Sequence, residues 1–246
     1  EILLEQLYRE RGITKETDMS VLRHEDFPLL CDLYALLERQ AGGSGVFTDE
    51  TLRELRLHLH SLCVGPDSLY FNGHTNIGSG RFVTFGVKSL LEAGQNLRDA
   101  MLFNIFSYMN NEMLCAGNTV AAIDELYLYL NNKTAIGYIR ACMKRARKKE
   151  SSLLLASQNV EDFLLPEAAE LTKPLFSIPA YQFLFHPGTV DGGKYREALQ
   201  LEECEYQLIR YPQRGVCLYK CGNERYNLMV HAPEYKEKLF GSAGGR

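Results

Sequence analysis

The sequence predicts an α/β protein with a mostly parallel sheet and helices on both of its faces. From residue 66 onward, short apolar runs alternate with long amphipathic stretches, which is the pattern of parallel strands joined by helices. Residues 1–65 contain amphipathic stretches but no strand pattern, so they predict an all-α N-terminal subdomain. Two β-rich runs, 215–221 and 225–231, predict a C-terminal β-hairpin.

The composition is that of a folded chain without the charge of a nucleic-acid binder. With 246 residues, of which 46% are hydrophobic, the chain can build one good core, or a core and a small lobe. The net charge of −4 gives no overall attraction for a polyanion. The seven cysteines are odd in number and form no Cys-x-x-Cys pair, which indicates reduced thiols rather than a disulfide framework. No apolar run approaches the roughly 20 residues that span a bilayer.

The N-terminal subdomain is predicted to hold three amphipathic helices. The first lies within residues 1–8 and the second within 29–37, each with an apolar stripe. The third can be capped by Thr48 or Asp49 and buries a stripe of leucines. The glycine-rich stretch 42–45 lacks a following Lys-Ser/Thr and precedes a helix rather than following a strand, so it does not predict a phosphate-binding loop.

Residues 66–240 are predicted to form the α/β core. Its strands alternate with helices long enough to cross back over a sheet, which favours parallel pairing. The hairpin is predicted to turn at residues 222–223, and the glycine-rich end at 241–246 is predicted to be disordered. The predicted strands are 81–86, 119–123, 152–156 and 181–185, and the predicted helices are 95–114, 134–148 and 192–200.

The most informative motif is the acidic pair Asp124-Glu125, which follows the predicted strand 119–123. P-loop NTPases hold magnesium-bound nucleotide at such a strand end: the first carboxylate organises the metal, and the second polarises the attacking water. The partner motif, a Gly-x-x-x-x-Gly-Lys-Ser/Thr phosphate loop, does not occur in the sequence. The alternative interpretation is that the two acids open a helix, where acids are common.

Gln158 follows the next predicted strand, 152–156. Because neighbouring parallel strands end at the same edge of a sheet, Gln158 is predicted to lie beside Asp124 and Glu125. A neutral amide in that place can hydrogen-bond a γ-phosphate or the attacking water. The alternative is a glutamine that caps the next helix.

The basic segment 144–149 lies at the carboxyl end of the predicted helix 134–148. The helix dipole favours cations there, so a solvated basic end is one interpretation. A second is an arginine finger inserted into the site of a neighbouring subunit, since the planar guanidinium suits phosphate. A third is a contact with nucleic acid.

The histidines and paired cysteines carry weaker signals. His74 lies in a predicted loop, where it could contact nucleotide or nucleic acid, but a lone loop histidine is usually a surface residue. His58 and His60 point to different sides of a predicted helix, which is poor spacing for a metal. Cys217 and Cys221 bracket a predicted strand, and a metal role is not favoured there.

Five segments taken together resemble a known family. They are similar to the conjugative type IV secretion ATPases of the VirB4/TraE class, which are RecA-like P-loop NTPases related to the FtsK and HerA DNA pumps. The resemblance covers residues 20–240, and its most specific part is the string Ser-Gln-Asn-x-x-Asp-Phe in the last segment. The five segments are 72–76 (Asn-Gly-His-Thr-Asn), 82–90, 122–125 (Ala-Ile-Asp-Glu), 144–148 and 156–163.

The resemblance assigns roles to individual residues. It implies that Asp124 is the Walker B carboxylate that holds Mg²⁺ through water, that Glu125 is the catalytic base, and that Gln158 is the sensor of the third motif. ATP and Mg²⁺ are the implied cofactors. Arg147 occupies the place where related pumps keep a finger for the adjacent subunit, and Arg145 is the second choice. The family has Ala-Thr-Gln where this sequence has Ala-Ser-Gln, a change that keeps a hydroxyl.

The family's phosphate-loop Lys and Ser/Thr are the main departure, because this sequence lacks them. The sequence begins at Glu1, in a helical stretch and without a methionine, so we interpret it as a fragment cut downstream of that loop. Residues 1–65 then correspond to the helical excursion that these ATPases place after the loop. We expect weak or absent ATP binding by this chain alone.

The resemblance also implies partners and a location. It implies a hexamer or dimer that energises substrate transfer or pilus biogenesis together with secretion-channel and coupling proteins. The implied place is the cytoplasmic, inner face of the plasma membrane, with peripheral association and no transmembrane segment. Two alternatives stay open: a DNA pump of the FtsK/HerA kind, with possible DNA contact, and a non-catalytic piece that only docks on secretion partners.

Overall fold

The computed structural model describes residues 1–41, 47–77, 80–130, 132–158, 160–164 and 166–241. The chain divides into two compact units, Glu1–Gly86 and Val87–Arg246. Residues 66–86, which the sequence analysis assigned to the α/β core, group with the helices of the first unit. Apart from Gly241, the tail predicted to be disordered lies outside the described residues, as does the glycine-rich stretch 42–45. Within the described ranges, no helix is both long and apolar enough to cross a membrane.

The first unit contains the three predicted helices and a short fourth one. Its helices are α1 (Ile2–Glu10), α2 (Leu30–Gln40), α3 (Asp49–Cys63) and α4 (Ser68–Phe71). Thr48 caps α3, because its hydroxyl accepts a hydrogen bond from the Thr51 backbone N–H at 3.3 Å. The leucine stripes of the three longer helices face one another and bury Leu3, Leu7, Leu36, Leu37 and Leu52.

The prediction of a strand at residues 81–86 is wrong. These residues form no strand in the structure, and Phe82 is 90% exposed. A strand exists only through hydrogen bonds to a neighbouring strand, and none of the described strands pairs with this segment. The apolar pattern of 81–86 predicted the residue types of a strand but could not supply the partner.

The second unit begins with helices and a parallel strand pair. In chain order its first elements are α5 (Lys88–Leu91), α6 (Gln95–Asn111), β1 (Val120–Ile123), α7 (Lys133–Arg145) and β2 (Ser152–Leu155). The pairing runs from Val120 beside Ser152 to Ile123 beside Leu155. Helix α6 continues into a π-helical turn, Glu112–Ala116, and α7 continues into a 3-10 turn, Ala146–Lys149.

One face of the parallel pair is packed. Ala121, Ile123 and the alternate residues of β2 contact the core that α6 and α7 form. On the opposite face Val120 is 74% exposed and Leu154 is 60% exposed. The prediction of helices on both faces was therefore wrong for the described residues. Apolar runs predict burial on two faces, but the described helices cover only one of them.

A separate antiparallel sheet follows, so the described strands are not mostly parallel. The remaining elements are α8 (Pro166–Ser177), β3 (Tyr181–Leu184), α9 (Gly192–Leu199), α10 (Glu203–Ile209), β4 (Val216–Cys221), β5 (Glu224–Met229) and α11 (Glu234–Phe240). The sheet order is β3-β4-β5. The hairpin β4–β5 turns at residues 222–223, as predicted, with Gly222 at a φ of 57°. Tyr195, Leu199 and Ile209 on α9 and α10 bury Leu218 of β4.

Candidate functional site

The carboxyl ends of β1 and β2 are fastened to each other beyond the strand pairing. The Ala156 backbone N–H donates to the Ile123 carbonyl at 2.9 Å, and the Leu126 N–H donates to the Ala156 carbonyl at 2.9 Å. Residues 124 and 125 therefore form a tight turn anchored on both sides to β2. Side chains that follow the two strands are brought to one edge of the sheet, as parallel pairing requires.

Glu125 adopts a backbone conformation that is unusual for its type. Its φ of 50° and ψ of 48° are left-handed, a region that costs a residue with a Cβ of the order of 1–3 kcal/mol. Asp124 stabilises this turn, because its Oδ1 accepts a hydrogen bond from the Glu125 backbone N–H at 2.9 Å. Backbone strain held in place at a strand end is typical of residues that are positioned for a task.

Gln158 reaches Glu125 from the end of the neighbouring strand. Its Nε2 donates to Glu125 Oε1 at 2.5 Å, so the predicted proximity of the two residues is confirmed. Glu125 Oε2 is buried and has no hydrogen-bond partner among the residues that the structure describes. An unpartnered buried carboxylate oxygen is costly, and it indicates a place where water or a ligand would supply the missing donor.

Asp124 is exposed at the surface and lies near a buried tyrosine that the sequence analysis did not single out. Burial raises the pKa of Tyr129, and the Asp124 charge raises that pKa further. The Tyr129 ring packs edge-on against Phe106, with the ring centroids 5.5 Å apart. Tyr129, which follows the acidic turn in the sequence, is thus packed in the core of the second unit. Its position, five residues after Asp124 inside an apolar run, resembles ordinary core sequence, so only the fold reveals it.

Arg145 and Arg147 lie at the other end of the strands. They belong to the end of α7 and the turn that follows it, immediately before β2 begins at Ser152. The Asn118 N–H, just ahead of β1, donates to the Lys149 carbonyl at 2.8 Å, which fixes the basic segment at the amino ends of both strands. A four-residue strand is about 13 Å long, so about that length of strand backbone separates the basic segment from the acidic turn of the same chain. Both arginines are exposed and form no ion pair among the described residues.

The remaining sequence candidates include three histidines of the first unit and two cysteines of the second unit. His74 is exposed in the first unit, and His58 and His60 lie on α3. Within the part of the chain that the structure describes, no three histidine, cysteine or acidic side chains gather as a metal centre. Cys217 is fully buried, and burial raises the pKa of its thiol, which keeps it protonated.

The residues at the strand ends suit magnesium-bound nucleotide in part. An exposed carboxylate such as that of Asp124 is the ligand type that Mg²⁺ prefers, and Mg²⁺ usually keeps several waters. The unpartnered Oε2 of Glu125 can accept a proton or a hydrogen bond once it is reached by water. The sequence contains no phosphate loop, however, so the principal phosphate contacts of a P-loop site are not among these 246 residues.

The fold can be compared with those of known proteins. No family model matches the sequence, and no curated protein matches it. The structure is similar to that of VirB4 of Thermoanaerobacter pseudethanolicus, with a TM-score of 0.80 and 29% sequence identity. The match covers 96% of this chain and 64% of that chain, so the chain spans less than two thirds of the VirB4 chain. The mixed α/β structure, with its small parallel sheet and its separate antiparallel sheet, thus matches a fragment of VirB4.

Proposed function

We propose that this chain is the water-activating part of a motor ATPase that powers type IV secretion or conjugative transfer. The observation that carries the proposal is the Gln158–Glu125 hydrogen bond at the joined carboxyl ends of two parallel strands. The similarity of the fold to VirB4 supports the same class of motor. The activity is that of the intact protein, in which ATP and Mg²⁺ bind.

Each of the three residues has a part that its geometry allows. Asp124, exposed at the end of β1, holds Mg²⁺ through water and also fixes the turn through its Oδ1. Glu125 takes the proton of the attacking water, which a carboxylate does from hydrogen-bond distance. Gln158 senses the γ-phosphate or orients that water with its amide, as a glutamine does in other NTPases. Bound nucleotide supplies the phosphoryl group, and these side chains position water and metal around it.

The phosphate loop is proposed to come from a part of the VirB4-like protein outside these 246 residues. The sequence carries neither the glycine-rich loop nor its Lys-Ser/Thr. Since backbone amides and the lysine of that loop make the main phosphate contacts in P-loop enzymes, the isolated chain should bind ATP weakly or not at all. Calorimetry with Mg-ATP that gives a micromolar dissociation constant for the 246-residue chain would contradict this.

Arg147, or Arg145 as the second choice, is proposed to act in the site of an adjacent subunit. The arginines lie at the amino ends of the strands, and the acidic turn lies at the carboxyl ends, about 13 Å of strand away, which favours action on another subunit. Head-to-tail contact between copies would bring one subunit's basic segment to the next subunit's acidic turn. Head-to-tail contacts form a ring when the rotation between copies closes, which fits a hexamer, and a dimer can supply the same contact reciprocally.

The place and partners of the intact protein follow from its proposed class. We propose a cytoplasmic protein at the inner face of the plasma membrane, associated peripherally and docked on secretion-channel and coupling proteins. A DNA-pumping ATPase of the FtsK/HerA kind is the second candidate, favoured by the exposed basic segment 144–149. DNA-stimulated ATP hydrolysis that falls steeply with salt would favour the pump.

The decisive experiment replaces the proposed base in the full-length protein. Glu125→Gln should abolish ATP turnover while nucleotide binding persists, because the amide keeps the shape of the side chain but takes no proton from water. Glu150→Gln is the matched control: Glu150 is also left-handed, with a φ of 54°, but lies at the amino end of β2. Normal turnover in Glu125→Gln would refute the assignment. Absence of turnover in the wild-type full-length protein would favour a docking role without catalysis.

A further inference from the structure

Both carboxylate oxygens of Glu125 are poorly placed to meet an attacking water. Its Oε1 is occupied by the Gln158 amide, and its Oε2 is buried without a partner. A general base must come within about 2.6–3.2 Å of the water whose proton it takes. In this arrangement the Gln158 amide takes one acceptor site of Oε1 and Oε2 is shielded from solvent, so release of the amide and rotation of the side chain would make both oxygens more accessible to water.

The same arrangement contains one unfavourable feature that such a movement can remove. Glu125 Oε2 is buried and lacks a hydrogen bond from any described residue. Rotation of the side chain toward solvent would hydrate both carboxylate oxygens and leave the Asp124 and Ala156 contacts of the turn intact. Among the described residues, the bond from Gln158 is the side-chain hydrogen bond that holds the Glu125 carboxylate against this rotation.

We infer that Gln158 is a positioning residue that latches Glu125 in the nucleotide-free state, and that a phosphate oxygen releases Glu125 by taking over the amide. The inference rests on the proposed function and adds a regulation to it. A phosphate oxygen and a carboxylate oxygen compete for the same Nε2 donor, so nucleotide binding shifts the population toward free Glu125. Hydrolysis is thereby coupled to nucleotide occupancy, because Glu125 becomes available as the base only when a phosphate is present to be attacked.

The resting latch can be tested on the 246-residue chain by NMR of the Gln158 side-chain amide. Glu125→Ala should shift both the ¹⁵N and the ¹H signals of that amide, whereas Glu150→Ala should leave them in place. If Glu125→Ala does not fold, Gln158→Asn provides the reciprocal measurement, because its shorter side chain should displace the ¹³C carboxylate signal of Glu125. Slow exchange of the Leu126 amide, which bonds Ala156, reports that the strand ends stay joined. Unmoved signals would overturn the latch.

The release step is tested on the full-length protein with Mg²⁺ and ADP–beryllium fluoride, a mimic of the γ-phosphate. The Glu125 carboxylate signal should move toward its position in Gln158→Asn when the mimic binds, but not with ADP alone. The Gln158 amide has two hydrogens and can bond the mimic and the Glu125 carboxylate at the same time. An unmoved Glu125 signal with the mimic bound would show that it does so, and the latch would be wrong. A wild-type protein that neither binds the mimic nor hydrolyses ATP would instead refute the proposed function, and the latch with it.

Discussion

Gln158 Nε2 donates a hydrogen bond to Glu125 Oε1 across the carboxyl ends of two parallel strands, although the two residues are far apart in sequence. The contact depends on three backbone features: the β1–β2 register, the Leu126–Ala156 hydrogen bond and the left-handed turn at Glu125. Each feature places a carboxylate and an amide at one point of the sheet edge. These features contribute to the stability of the turn as well as to the proposed chemistry.

Glycine at position 125 should stabilise the chain. Glu125→Gly relieves the left-handed strain and removes the unpartnered Oε2, which together outweigh the greater flexibility of glycine in the unfolded chain by about 1 kcal/mol. Urea unfolding of the second unit measures the change. Glu150→Gly, at a φ of 54° on an exposed residue, has the strain but no buried oxygen, so its gain should be smaller. A net loss of stability in Glu125→Gly would show that the Gln158 contact outweighs the strain.

Asp124 should contribute to the turn as well as to the metal site. Asp124→Ala removes the acceptor of the Glu125 N–H and should lower the free energy of unfolding by about 1 kcal/mol. Asp124→Asn keeps a carbonyl oxygen in the same place, so its stability should stay close to that of the wild type. In the full-length protein both variants should lose Mg²⁺-dependent turnover. Equal stability losses in the two variants would contradict the role of Oδ1 as a turn acceptor.

The sequence alone predicted the closeness of Gln158 and Glu125 better than it predicted the sheet around them. The proximity of Gln158 to Asp124 and Glu125 follows from one rule about parallel strands, and two adjacent strands are enough for that rule to hold. The strand at 81–86 and the covering of both sheet faces needed partners that apolar periodicity does not specify. The left-handed turn at Glu125 could not be predicted either, since glutamate has no preference for it.

Alkaline pH should destabilise the second unit through Tyr195. This side chain is 2% exposed, and burial raises its pKa well above the ordinary value. The folded state therefore keeps a proton that the unfolded state loses from about pH 10, so the stabilising contribution is present below that pH and falls above it. Tyr195→Phe should flatten the decrease of unfolding free energy between about pH 9 and 11. Tyr211→Phe is the control, because Tyr211 is 71% exposed. Identical pH profiles for wild type and Tyr195→Phe would contradict the prediction.

Arg147 should act between subunits, and complementation can show this in the full-length protein. Arg147→Ala subunits keep Glu125 but give no finger, whereas Glu125→Gln subunits give a finger but have no base. Each variant alone should be inactive. Random mixing of equal amounts should restore roughly a quarter of wild-type turnover, because about that share of sites combines an intact Glu125 with a neighbour's Arg147. Arg147 precedes β2 and Glu125 follows β1, so the two residues lie at opposite ends of the parallel strand pair, and the rescue requires two chains. Lys148→Ala, on the same exposed turn, should stay active by itself. If verified mixed oligomers stay inactive, the same mixture with Arg145→Ala decides whether the second arginine is the finger, and failure of both would refute action in trans.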